Sequence, residues 1–371
     1  MNKNIITFVF QSGRTSRINN GKEEFSKEFF YSYQSFKAEF SSVNLIEFEN
    51  PNSFFNILTS PIFRALRYLT TIPFYCEYIQ SVKNFKILFN SDEIIFTNQR
   101  VAFSSMPMLL LSSLLRKKKS TVFIMGLFVE QSKNSVRKFF RINFIKLLVK
   151  ISNNLIFLSS SEKEIATSFF PKHKEKMFFL PFPVDNEFWN KERAESTPNN
   201  IILFIGNDGK RDYELVTSIA KEMTKYNFIF VSKQMNKKLL TKNVELLEGK
   251  WADNEITDAE IRNIFNKSIV TIIPLKDSLQ PSGQSVALQS MAMKVPVIIS
   301  RTSGFWDYSK FSDEKNIVFV NNNGINDWVE KIQHLVLNQN LRKEISESAY
   351  KTVTKNYTIE KFYLNFKKIL F

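Results

Sequence analysis

The chain is poor in the residues that usually announce chemistry. A single cysteine, Cys76, in 371 residues excludes an internal disulfide framework and any Cys-x-x-Cys metal site, and it suits a reducing compartment. Only two histidines occur, His173 and His334, both in polar or helical surface contexts where a catalytic base is not expected. No apolar run reaches the ~18 residues of a membrane span, and the first one, Ile5 to Phe10, is too short for a signal-peptide core. A cytoplasmic protein is therefore expected. No internal repeat or low-complexity tract is present. Acidic residues are scarce where basic ones gather: of the formal charge of +15, residues 1–190 contribute 25 Lys/Arg against 15 Asp/Glu, and within them residues 100–150 hold 11 basic side chains and one acid, Glu130. The length is too great for one ordinary core and fits two domains of roughly 150–200 residues each.

Hydrophobic patterning alternates between short β-branched runs and amphipathic stretches. Strands are expected at Ile5–Phe10, Asn44–Glu49, Glu93–Thr97, Thr121–Met125, Leu155–Leu158 and Met177–Val184. Helices are expected over about Glu23–Phe40, at Val136–Ile151 and at Ser161–Phe169, where Ser-Ser-Glu opens the helix. The polar, proline-containing stretch from Asn190 to Asn200 precedes a fresh strand at Ile201–Ile205, and the cycle restarts with strands at Phe228–Val231, Glu245–Leu247, Val270–Ile273 and Val297–Ser300. The pattern is α/β: two doubly wound, Rossmann-like domains with parallel sheets, and a ligand cleft expected between them at strand C-terminal ends.

Residues 281–297, Pro-Ser-Gly-Gln-Ser-Val-Ala-Leu-Gln-Ser-Met-Ala-Met-Lys-Val-Pro-Val, are the most informative stretch. The run Ser268–Pro274 reads as a central strand, and it feeds a Ser/Gly turn that opens an apolar helix. Unpaired N–H groups at such a helix start make an anion site, and Ser282, Gly283, Gln284 and Ser285 are small or hydrogen-bonding residues that let a phosphate approach the backbone. In isolation such a turn is more often an ordinary helix cap. The order Ser-Gly-Gln-Ser-Val-x-Leu-Gln-x-Met-Ala followed by Pro-Val-Ile-Ile, however, resembles the donor-site signature of retaining glycosyltransferases of family 4, which have the GT-B fold.

That resemblance implies a fold and a set of roles. The GT-B fold would give an N-terminal acceptor-side domain (1–190), a nucleotide-sugar donor domain (200–355) and a C-terminal helix (356–371) returning to the first domain. The family signature carries two glutamates eight positions apart. The second, which typically binds the donor ribose, falls on Gln289, whose amide can still bond a hydroxyl; the first falls on Pro281, which cannot. Lys294 stands where the family commonly has a helix-ending glycine. A left-handed lysine costs about 1 kcal/mol, so this helix is expected to end differently. Gly206-Asn207-Asp208-Gly209-Lys210-Arg211 resembles the family's other donor loop, in which a cation grips the donor diphosphate; Arg211 is the first choice for that role and Lys210 the second. Read alone, this loop is more often a solvated turn. Ser12-Gly13-Arg14 matches the loop after the first strand that touches donor or acceptor in that fold, with a structural turn equally compatible. Pro183-Val184-Asp185 resembles the family's Gly-Val-Asp.

Two further features bear on mechanism. Where many family members carry a histidine, this chain has Met125-Gly126-Leu127-Phe128-Val129-Glu130; in a front-face retaining reaction the leaving diphosphate can itself take the acceptor's proton. The absence of any Asp-x-Asp triplet argues against a metal-bound diphosphate, so no metal and no cofactor is expected, the nucleotide-sugar being a co-substrate. The basic segment 100–150 places Val136, Phe139, Phe140, Phe144, Leu147, Leu148 and Ile151 on one helical face, flanked or opposed by Arg137, Lys138, Arg141, Lys146 and Lys150. Such a surface suits an anionic membrane, and a core-facing helix with solvated charges fits the pattern equally. The expected partners are thus a nucleotide-diphosphate sugar, a glycan or lipid-linked acceptor and the inner membrane face, with no nucleic acid. The alternatives are a degenerate GT-B homologue that binds nucleotide without transfer, and a basic membrane- or nucleic-acid-binding protein.

Overall fold

The structure, a computed structural model, describes residues 4–19, 24–49, 54–116, 118–128, 134–190, 192, 201–249 and 255–371, with the side chains of 54–57 left aside. Val129 and Glu130, and the greater part of the expected junction at 190–200, lie outside the described residues. The chain forms two compact units, one of Met1–Ser16, Phe30–Leu180 and Tyr363–Phe371, the other of Arg17–Phe29 and Pro181–Phe362.

The first unit is built on a six-stranded parallel sheet of β1 (Ile6–Phe10), β2 (Val43–Glu47), β3 (Glu93–Phe96), β4 (Lys119–Ile124), β5 (Asn154–Phe157) and β6 (Met177–Phe179), in the order β2-β1-β3-β4-β5-β6. Its inner strands are buried along nearly their whole length, as parallel strands covered on both faces must be. The intervening helices are α1 (Arg14–Asn19), α2 (Tyr33–Glu39), α3 (Phe54–Thr70), α4 (Val82–Asn90), α5 (Gln99–Leu115), α6 (Ser135–Ile151) and α7 (Ser160–Phe169). Asn98, Asn134 and Ser159 cap α5, α6 and α7 by accepting backbone N–H bonds.

The second unit repeats the architecture. Its strands β7 (Ile201–Ile205), β8 (Phe228–Val231), β9 (Val244–Leu247), β10 (Ser268–Ile273), β11 (Val297–Ser300) and β12 (Val318–Val320) form a parallel sheet ordered β12-β11-β10-β7-β8-β9. The helices are α8 (Tyr213–Glu222), α9 (Asp258–Lys267), α10 (Gln284–Ala292), α11 (Ile325–Leu337) and α12 (Gln339–Asn356), and the last, α13 (Ile359–Leu370), contributes its residues from Tyr363 onward to the first unit. Alternation along β7 splits its side chains between two cores, Ile201 and Leu203 with α10 on one face, Ile202 and Phe204 with α8 and α11 on the other.

Four expectations are corrected. The helix expected over Glu23–Phe40 is broken: Glu28–Phe30 is a 3-10 turn, Tyr31 and Ser32 are left-handed at φ 49° and 61°, and only Tyr33–Glu39 is α-helical. The apolar spacing there is real, but buried polar partners draw residues 26–28 out of helical register. The strand expected from Met177 to Val184 ends at Phe179, and Val184 makes an isolated bridge to Thr358. Lys294 does adopt the left-handed conformation, φ 55°, that closes α10, with the Val295 N–H reaching the Ser290 carbonyl at 2.9 Å. Its ammonium then pairs with Glu347 at 3.1 Å and lies 4.8 Å from the centre of the Tyr350 ring, which offsets the backbone strain. On α6, Arg141 is not a solvated charge: it is buried and donates to the carbonyls of Thr71 and Leu127 at 2.9 and 2.6 Å.

Candidate functional site

Two loops of the second unit leave adjacent central strands, β7 and β10, at the same C-terminal end of the sheet and are stitched together by their backbones. Arg211 bridges Leu275, the Asp212 N–H donates to the Pro274 carbonyl at 3.0 Å, and the Lys276 N–H donates to the Lys210 carbonyl at 2.9 Å. This pairing carries the Arg211 guanidinium, only 3% exposed, to the start of α10. There Nη1 donates to the Ser282 hydroxyl at 2.6 Å and to Asp208 Oδ2 at 3.0 Å, while Nε donates to the Ile205 carbonyl at 3.3 Å. Ser282 in turn donates to the same Asp208 oxygen at 2.7 Å. Burial holds the guanidinium below its ordinary pKa, and the Asp208 carboxylate opposes that shift in part.

Glycine is required at two of these positions. A Cβ on Gly206 would lie 2.4 Å from Arg211 Nε, so the arginine side chain runs directly across this residue. Gly283, at φ 83°, is the N-cap of α10, and a Cβ there would meet Ile273 at 2.8 Å. The first residue of the helix, Gln284, is buried, and its amide nitrogen has no partner among the described residues. Ser285 is half-buried one residue on, and Gln289, one turn further on the same helical face, is 7% exposed. Asn207 serves the scaffold: its side-chain oxygen accepts the Lys233 N–H at 2.6 Å and ties the β7 loop to the end of β8. Lys210 is half-exposed, and its N–H holds Asp208 Oδ1 at 2.8 Å.

The structure therefore brings Arg211, Gly206, Ser282, Gly283 and Gln284 into one constellation at the opening of α10, with the backbone of Lys210 beside it and its side chain making no contact there among the described residues. Its chemistry is that of an anion seat, with a fixed guanidinium, a hydroxyl and helix-terminal amides, and the chain's own Asp208 carboxylate is bonded to two of those groups. Gly13 and Arg14 belong to the first unit. Gly13 is left-handed at φ 90°, and the N–H groups of Arg14 and Thr15 hold the Glu47 carboxylate. The loop Met125–Phe128 offers no titratable side chain. Met125 exchanges two bonds with the Gln99 amide, and Gly126 and Phe128 donate to buried Glu162 at 2.8 and 3.2 Å.

Sequence reasoning missed Asp208, although it lies inside the loop singled out, because nothing in the spacing shows that a carboxylate folds back onto Arg211. It also missed Glu28, whose Oε1 accepts from Gln289 Nε2 at 2.9 Å and from Trp189 Nε1 at 2.8 Å. No local signal could have found that residue, since it lies 261 positions from its partner.

Residues 232–352, which include the β10–α10 arm of the site, match the family described as glycosyl transferases group 1. The chain has the GT-B fold. Solved structures agree over its whole length. A glycosyltransferase from Rickettsia africae is 15% identical, with a TM-score of 0.66 over 100% of this chain and 99% of that one. HepE from Anabaena, solved in complex with UDP, is 11% identical, with a TM-score of 0.68 over 99% of each chain. Sucrose-phosphate synthase from Thermosynechococcus elongatus is 12% identical, with a TM-score of 0.69 over 99% of this GT-B chain and 98% of its own. At these identities the likeness is one of fold. No curated protein sequence matches the chain.

Proposed function

We propose that this GT-B protein transfers a sugar, with retention of configuration and without a metal, from a nucleotide-diphosphate sugar to a glycan or lipid-linked glycan in bacterial surface polysaccharide assembly. The observation that carries the reading is the meeting of Arg211 with Ser282, 71 residues apart in sequence, at the opening of α10. The donor diphosphate would take the place of the Asp208 carboxylate on these groups. As the bond between the anomeric carbon and the diphosphate oxygen breaks, negative charge grows on the leaving group, and Arg211, Lys210, Ser282 and the helix amides stabilise it without reorganising. The acceptor oxygen attacks from the same face, and its proton passes to the departing phosphate oxygen, so no histidine base is needed. Ser285 and Gln289, further along α10, would face the nucleoside end. HepE, also bound to UDP-glucose, supplies a precedent for a nucleotide-sugar on this fold.

The acceptor side of the reading rests on charge and exposure in the first unit. No acid occurs in α3 or α6, which pack together. Exposed Leu58, Ile62 and Tyr68 on α3, and Val136, Phe139 and Phe140 on α6, stand beside Arg64, Arg137 and Lys138, with the Arg137 guanidinium 3.9 Å from the Tyr68 ring centre. Apolar side chains ringed by cations are what an anionic bilayer surface binds, and they would hold a cytoplasmic enzyme at the inner membrane face. Among the described residues no helix is long and apolar enough to cross a membrane.

The deciding experiment is turnover of a panel of UDP-, GDP- and dTDP-sugars without added metal and with anionic vesicles, comparing the wild type with Arg211→Ala. Turnover of one donor, reduced at least ~100-fold in the variant, is expected. Nucleotide binding without turnover would identify a degenerate homologue, and neither binding nor turnover would leave a basic surface-binding protein.

A further inference from the structure

The segment Arg17–Phe29 belongs to the second unit, although its neighbours in sequence on both sides belong to the first. It is fixed there by buried polar bonds. Arg17 pairs with Asp258 at 3.0 Å, Ser26 donates to the same carboxylate oxygen from both its N–H and its hydroxyl at 2.9 Å, and the Lys27 N–H donates to Asp185 at 3.0 Å. The next residue, Glu28, is 1% exposed and directs Oε1 between Trp189 Nε1 and Gln289 Nε2.

This contact has a chemical consequence for Gln289. A glutamine amide has a donating end and an accepting end, whereas Oε1 of Glu28 only accepts, whether the group is ionised or is a neutral carboxyl with its proton on Oε2. Oε1 of Glu28 already takes an N–H from Trp189, so toward Gln289 it is an acceptor, and the amide must turn its NH2 inward. The amide oxygen is thereby left as the outward group, and among the described residues nothing donates to it. A glutamine so held presents what a glutamate would present, a bare acceptor oxygen. If the amide turned over, its oxygen would face the Glu28 oxygen at hydrogen-bond distance with no hydrogen between them.

We propose that Glu28 is a positioning residue of the donor site: it locks the Gln289 amide so that its carbonyl oxygen accepts a hydrogen bond from a ribose hydroxyl of the bound nucleotide. The inference rests on the reading of α10 as the donor helix. Glu28 itself need not touch the ligand. It comes from a distant part of the chain to do for position 289 what the side chain there cannot do alone.

The test is calorimetric titration of the full chain with UDP and GDP and with their 2′-deoxy and 3′-deoxy forms, in the wild type, Glu28→Leu, Gln289→Glu, and the exchange that combines Glu28→Gln with Gln289→Glu. The wild type should bind one ribonucleotide about tenfold or more tightly than at least one deoxy form. Glu28→Leu should lose most of that preference while binding the deoxy form within ~3-fold of the wild type, because only the orientation of the amide has been released. Gln289→Glu alone sets two carboxyl groups against each other: while they share a proton an acceptor oxygen survives, and once the pH is raised well above about 8 every form should bind poorly. The exchange should recover the preference at that pH, since the amide then at position 28 can donate to the carboxylate then at position 289 and leave its second oxygen for the hydroxyl. Should Glu28→Leu fail to fold, recovery by the exchange relative to Gln289→Glu decides alone. Equal weakening toward all forms, an unchanged preference in Glu28→Leu, or no recovery in the exchange would overturn the proposal. If the wild type binds none of the nucleotides, the donor-site reading itself fails, and Arg211→Ala will separately show no effect.

Discussion

Arg211 cannot serve a ligand and Asp208 equally. The carboxylate accepts from both Arg211 and Ser282, so a diphosphate arriving at that seat must displace a bonded anion of the same sign. Replacing Asp208 by Asn keeps the size and one acceptor oxygen but removes the charge that competes. Binding of UDP or inorganic pyrophosphate should tighten several-fold in Asp208→Asn, and titration at fixed salt will show it; weaker binding would mean that the carboxylate assists the ligand by orienting the guanidinium. Gly206→Ala should act in the opposite direction, because its new methyl would displace an arginine side chain held by three hydrogen bonds, and nucleotide affinity should fall at least tenfold. At this scale the sequence was legible where the signal is local. Ser282, Gly283 and Arg211 were named from their own loops, and the structure brings them together. Asp208 and Glu28 were not legible, because their roles depend on which distant donor each oxygen meets.

Elements were readable to the degree that burial is uniform along them. Strands β7, β8 and β11 begin and end where the β-branched runs do, and the other expected strands that precede β12 start within two residues of expectation, because a fully buried parallel strand is apolar on both faces and bounded by polar loops. Helix faces were less readable. On α6 the spacing that marks Val136, Phe139 and Phe140 as apolar equals that of the residues that pack inward, yet these three are exposed and Arg141 is buried, because distant carbonyls, those of Thr71 and Leu127 among them, decide what that turn faces. The two kinds of residue should separate in experiment. Phe139→Glu combined with Phe140→Glu should leave the melting temperature nearly unchanged and cut co-sedimentation with anionic vesicles at least tenfold. Arg141→Ala leaves buried carbonyls without donors and should cost about 2–4 kcal/mol in urea unfolding. The end of α10 belongs to the same lesson. Glycine would have been the simple solution, and lysine takes the left-handed position with help from Glu347 and Tyr350 that no local rule foresees. Lys294→Val, β-branched at φ 55°, should destabilise by about 1–2 kcal/mol, while Lys294→Gly should stay within about 0.5 kcal/mol of the wild type.

At the scale of the whole molecule, three buried carboxyl groups set how stability responds to pH. Burial, and then the charges of Asp185 and Asp258, push Glu28 up to about 8, against the bonds from Gln289 and Trp189. Burial pushes Glu93 up to about 7 against the Thr121 hydroxyl and Lys119, and Glu162 up to about 7 against the N–H groups of Gly126, Phe128 and Leu127. Each group ionises in the unfolded chain near the ordinary value of about 4.5 and in the folded chain only later. Between those points the native state holds a proton that the unfolded state has released, so stability must fall as pH rises, by at most about 1.4 kcal/mol per pH unit for each group. Glu93 and Glu162 lie in the first unit and Glu28 in the second, so the window closes near pH 7 for the first and near pH 8 for the second. Calorimetric melts from pH 5 to 9 should therefore show the transition of the second unit still falling between pH 7 and 8, after that of the first has levelled. Glu28→Gln keeps the acceptor oxygen without the titration and should abolish that late fall alone, leaving the earlier slope of the first unit intact. A late fall that persists in Glu28→Gln would place the titrating group elsewhere. If both units melt in a single transition, the variant should still flatten its pH dependence above pH 7.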